Sequence, residues 1–114
     1  MPFIREHEVE GKPVGNLGSL KHLAAPWTVG TQGLWLGVVT IEKGGSTKAN
    51  TLQNHEGLHY TLQGRGTEIV AGEKIETSPG TCVLIPRGAL HQVINTGTEP
   101  LKVLSVTTPP IPKP

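Results

Sequence analysis

Apolar residues come along this chain in short bursts, and glycine or proline ends almost every one. The clearest bursts are residues 33–42 (GLWLGVVTIE), 58–63 (LHYTLQ), 66–71 (GTEIVA), 81–85 (TCVLI), 91–95 (HQVIN) and 101–107 (LKVLSVT). They are rich in Val, Ile, Leu and Thr, and no apolar period of helical type lasts longer than two turns. Short β-rich runs at regular spacing predict an all-β sandwich or barrel. Residues 71–75 put Ala71-Gly72 in a hairpin turn, and residues 95–100 (NTGTEP) read as another turn. From Thr107 the chain runs TTPPIPKP, a proline-rich tail that cannot continue a central strand. Residues 1–30 are less regular and read as an arm holding an edge strand and a loop. The 114 residues form one domain, with the barrel at about 34–107, the arm before it and the tail at 108–114.

Charge narrows the choice of partners. Ten basic and nine acidic residues leave a net charge of +1, which gives no basic footprint for nucleic acid. No apolar run approaches the ~20 residues of a membrane span, and residues 1–20 lack the apolar stretch of a secretory signal, so a cytoplasmic protein is expected. All nine carboxylates are glutamates, so any carboxylate ligand or general base is one of them. The single cysteine, Cys82, has no partner for an internal disulfide. Its place in the run Cys-Val-Leu-Ile reads as a small buried hydrophobe. His7 and His22, outside the barrel runs, read as surface residues, and Trp35 reads as core before pocket wall.

The most specific pattern is GTCVLIPRGALHQVIN, residues 80–95. It spaces Gly80, Pro86, Gly88, His91 and Asn95 as G-x5-P-x-G-x2-H-x3-N. With YTLQGRG at 60–66 and glycines at 64, 72 and 80 in matching rhythm, the chain resembles the cupins over about residues 34–107. The resemblance implies a double-stranded β-helix, or jelly-roll barrel, often with a transition metal inside, and it puts a metal-binding histidine at His91. An N-terminal arm in such proteins often packs on a partner subunit. Two-fold pairs are also the commonest oligomers, so a homodimer is expected.

The upstream half of the family's metal site is altered. Counting back from Gly64 puts its two histidines at Asn50 and Leu52 and its glutamate at Gly57. Counting back from Gly66 puts them at Gln53, His55 and His59. In either register, strand alternation gives residues 55, 57 and 59 one face. The expected site is therefore a metal held by His55, His59 and His91, with Asn50 and Gln63 lining a substrate pocket. Residues 55 and 59 lie ~13 Å apart on a regular strand. A bulge at Gly57 would shorten that span and turn Glu56 inward as a catalytic group or reserve ligand.

Imidazole donors suit Fe, Ni, Cu and Zn, and the resemblance extends the divalent metals to Mn. The resemblance then implies a metal-dependent enzyme acting on a small organic substrate, an oxygenase or a lyase/isomerase of a carbonyl or hydroxy acid compound. The contrasting expectation, motivated by Asn50, Leu52 and Gly57, is a non-catalytic module that binds a small ligand such as a sugar or carboxylate. No G-x-S-x-G elbow, P-loop, CxxC pair or dinucleotide fingerprint occurs.

Overall fold

The bursts of the sequence become ten antiparallel strands in a computed structural model that describes residues 2–114. After a 3-10 turn at Glu6–Glu8 come β1 (Lys12–Val14), β2 (Asn16–Ala24), β3 (Trp35–Ser46), β4 (Asn50–Thr51) and β5 (Glu56–Gln63). They continue as β6 (Gly66–Val70), β7 (Glu73–Thr77), β8 (Cys82–Ile85), β9 (Leu90–Asn95) and β10 (Leu101–Thr108). The strands lie in the order β7-β6-β9-β3-β10-β5-β8, with β2 on β3 and β4 on β9. The sheet curls over on itself: β5 and β6 are far apart in that order, yet their side chains meet across the interior at 2.7 Å. No helix among the described residues is long and apolar enough to cross a membrane.

Alternation fills the inside. Ile41, Val93, Leu101 and Val103 form one buried cluster, and Val70, Val83 and Ile85 form another. Each fully buried Ile or Leu contributes about 1.5–3 kcal/mol relative to exposure. The motif at 80–95 has a physical reading here. Gly80 (φ +94°) and Gly88 (φ +78°) make left-handed turns on either side of β8, where a side chain would be strained. The buried Asn95 amide donates to the carbonyls of Ile41 and Glu99 and accepts from the Gly97 amide, each at 2.9 Å. It therefore satisfies polar backbone where β9 leaves the sheet.

The outer face carries apolar side chains. Between the exposed ends Glu56 and Gln63, the outward positions of β5 are Leu58 and Tyr60, each 43% exposed, and Leu62. Register places Leu58 beside Leu84 and Val106, and Tyr60 beside Cys82 and Leu104. Cys82 is thus exposed, against the buried position expected for it. The run 82–85 is apolar on both faces, so periodicity cannot say which face is inside.

The arm is part of the barrel. Nine-residue β2 pairs along β3, and the 3-10 turn is fastened to its own sheet: Lys21 Nζ donates to the Glu6 carbonyl at 3.0 Å, and Lys102 Nζ lies 2.7 Å from Glu6 Oε2. His22 is half-buried, against the surface position expected for it. It accepts a 3.0 Å hydrogen bond from Trp35 Nε1.

Candidate active site

The barrel encloses a cavity of about 390 Å³, within the 300–1,000 Å³ of typical small-molecule sites. Its lining is mostly apolar, with Val14, Leu20, Trp35, Val39, Val103 and Ile111. Among these stand the polar Asn50, His59, His91, Ser105 and Thr107. Ile111 comes from the proline-rich tail, which lies over the cavity. Trp35 is both buried and a wall of this cavity.

His59 sits in the middle of β5 on the inward face, with Gly57 and Thr61. Its Nδ1 lies 2.7 Å from Oε1 of Glu68, which is only 1% exposed. Glu68 comes from β6, where it shares the inward parity of Gly66 and Val70. Because a carboxylate only accepts, the Nδ1–H of His59 donates to Glu68, and Nε2 is the ring nitrogen directed away from it. The other carboxylate oxygen of Glu68 has no hydrogen-bond partner. His91, on β9, lies with its ring centre 5.8 Å from that of His59, edge to face. Its Nδ1–H donates to the Ala89 carbonyl at 3.3 Å, which makes Nε2 the acceptor of the neutral ring. Burial holds the His91 imidazole below the usual histidine range, and neighbouring His59 lowers it further. The Ala89 bond and the charge of Glu68 offset this only in part. His91 is therefore neutral at pH 7.

Strand parity holds for His59 and fails for His55 and Gln63. His55 precedes the strand, in a turn closed by its own amide on the Leu52 carbonyl at 3.3 Å. Its ring is directed to the tail, with Nδ1 2.7 Å from the Pro109 carbonyl oxygen, and it does not line the cavity. The expected trio of histidines is thus a pair. Gln63 lies beyond a register shift opposite Lys102 and Val103. The shift turns it out of the barrel, 3.5 Å from the Pro100 carbonyl. That irregularity is the bulge of β5; Gly57 pairs regularly with Ile85 and Thr107. Glu56 is accordingly exposed rather than turned inward, and the carboxylate behind the histidines is Glu68. Asn50 does line the cavity, as does Leu52. The sequence held one signal for Glu68: it is the only charged residue in the run 66–71, at an inward position.

The donor set bears on a resident metal. Catalytic metal sites use about three protein ligands and structural ones four. Among the described residues no group of three or more His, Cys, Asp and Glu side chains is gathered for an ion. His59 and His91 make two donors, and Glu68 is engaged with His59 Nδ1. In the Gly64 register of the resemblance, Asn50, Leu52 and Gly57 stand at the other positions of the family site. These residues do not fit a three- or four-ligand metal centre.

The cupin domain family matches residues 37–107. The chain belongs to the cupin family. This cupin is 33% identical over 70 residues to the uncharacterized protein MJ1618 of Methanocaldococcus jannaschii, covering 61% of this chain and 56% of that protein. It is 26% identical over 97 residues to the tetracenomycin polyketide synthase protein TcmJ of Streptomyces glaucescens, covering 85% and 65%. The chain thus spans well under two thirds of the first relative's length and just under two thirds of the second's. Among solved structures it resembles KdgF from Halomonas sp., with TM-score 0.82 and 23% identity over 96% of this chain and 94% of that one. At that identity the likeness shows the fold alone.

Proposed function

We propose that this cupin is a metal-independent acid–base enzyme that moves a proton on a small carbonyl compound, as an isomerase, cyclase or lyase does. The observation that carries this reading is the buried His59–Glu68 pair. A carboxylate on Nδ1 fixes the imidazole tautomer, aims Nε2 at the cavity and stabilises the ring once it is protonated. In the forward step His59 Nε2 takes a proton from the carbon next to the carbonyl. The C–H electron pair becomes the enolate π bond, and the carbonyl π pair moves to oxygen. The imidazolium then returns its proton to the same carbon, to another carbon or to a departing group. Neutral His91 accepts a hydrogen bond from a substrate hydroxyl. The polyketide synthase relative is in keeping with a carbonyl-rich substrate.

The test uses 2-acetyl-1-tetralone, a β-dicarbonyl probe, in D2O, with loss of its acidic proton followed by NMR. Wild-type protein is expected to speed exchange over His59→Gln by about 10²–10⁴-fold, the usual contribution of a general base, and treatment with a chelator is expected to leave the rate unchanged. Equal rates for wild type and His59→Gln overturn the reading. Loss of activity on chelation, restored by added metal, returns the site to metal chemistry.

A further inference from the structure

The cavity carries an uneven set of recognition groups. Apolar side chains dominate its wall, so a polyhydroxylated ligand would leave most of its hydroxyls without partners, at a cost for each. One polar feature outside the histidine pair has no work inside the protein. It is Lys48, the only lining side chain of fixed charge. The cations of the ion pairs found among the described residues are Arg5, His7, Lys12, His59 and Lys102. Lys48 is in none of them. No carboxylate lines the cavity, because Glu68 stands behind His59.

From this arrangement we infer that the cavity takes a flat apolar ring compound bearing an anionic group, not a sugar acid. Lys48 meets the anion at the rim, and the mostly apolar lining takes the ring. The inference rests on the acid–base reading for the carbonyl beside His59, and it goes further in fixing the substrate class. Placing the charge at the exposed rim orients the molecule, with its carbonyl end toward His59 and His91.

Binding without turnover tests it separately from proton transfer. Three probes are titrated by calorimetry and by tryptophan fluorescence: 2-naphthoate, uncharged 2-acetylnaphthalene and glucuronate. The expected order of affinity is naphthoate, then acetylnaphthalene, then glucuronate, with the naphthoate affinity falling as salt rises. Lys48→Ala is expected to weaken naphthoate about twofold to fivefold, as for one exposed ion pair, and to leave acetylnaphthalene unchanged. Glucuronate binding as tightly as naphthoate overturns the substrate class, and an unchanged naphthoate affinity in Lys48→Ala overturns the anion contact. Lys48 is exposed, so its replacement leaves the fold intact. Correct binding with no His59-dependent exchange condemns the acid–base reading and leaves the ligand class standing. Exchange with the probe order reversed does the opposite.

Discussion

Replacing Glu68 with Gln separates catalysis from stability, because the two should move in opposite directions. The carboxylate makes one charge-assisted bond, 2.7 Å to His59, and its second oxygen is unpartnered. Gln keeps the length and an acceptor oxygen. The bond to His59 becomes neutral, a loss of about 1–1.5 kcal/mol. The unpartnered oxygen becomes an unpartnered amide NH2, each costing about 1–3 kcal/mol, so those terms roughly cancel. What remains is the desolvation of an ion 1% exposed, several kcal/mol in real proteins. The net expectation is a variant more stable by about 1–3 kcal/mol, with a melting temperature raised by at least about 4 °C. Exchange of the dicarbonyl probe should fall about 10²-fold or more, because the amide no longer stabilises the protonated ring. Urea melts and the NMR exchange assay on one preparation measure both. A variant destabilised by more than about 1 kcal/mol with its exchange rate intact would falsify the reasoning, since Glu68 would then serve the fold and not the base.

Two further outcomes are expected. His91 and His22 are both held below the usual histidine range, His91 first by burial and His22 by burial and then Lys12. Unfolding therefore takes up protons in the window just below pH 6.5, and stability is present above it and lost as pH falls. The melting temperature should drop between pH 7 and 5.5, and His22→Gln with His91→Gln should flatten that slope; a slope unchanged in the double variant would refute the assignment. Leu58, 43% exposed, and Leu84, 51% exposed, lie side by side on the outer face, and contiguous exposed apolar residues mark interaction surfaces. Sedimentation should find a homodimer that Leu58→Glu converts to monomer, and a wild-type monomer at micromolar concentration ends that expectation.

The barrel was legible because period-two alternation and glycine-punctuated turns are local signals. The strand runs from 58 to 107 fall within a few residues of β5, β6, β8, β9 and β10. The motif was equally plain, because Gly80, Gly88 and Asn95 do backbone work that other residues perform poorly. Parity placed His59 correctly and misled at its neighbours. It holds only within a continuous strand, and His55 lies in the turn before β5 while Gln63 lies past a register shift. Glu68 escaped notice because one glutamate in a short run looks like an ordinary solvent-facing residue. Its partner is on β5, across a barrel closure that no local pattern records. The long strand β2 was blurred by its mixture of polar and apolar positions, nearly all of which are half-buried.

Gly57 makes this barrel open to redesign. A methyl group added there would come no nearer than 3.5 Å to any neighbour, the closest being the Ile85 side chain and the Val106 carbonyl. The first carbon of a side chain therefore fits at that point without disturbing the backbone. The three positions where the Gly64 register of the resemblance puts ligands, 50, 52 and 57, can be exchanged in vitro for His, His and Glu while His91 stays in place. Three codons thus separate this chain from a direct trial of whether its scaffold gathers an ion.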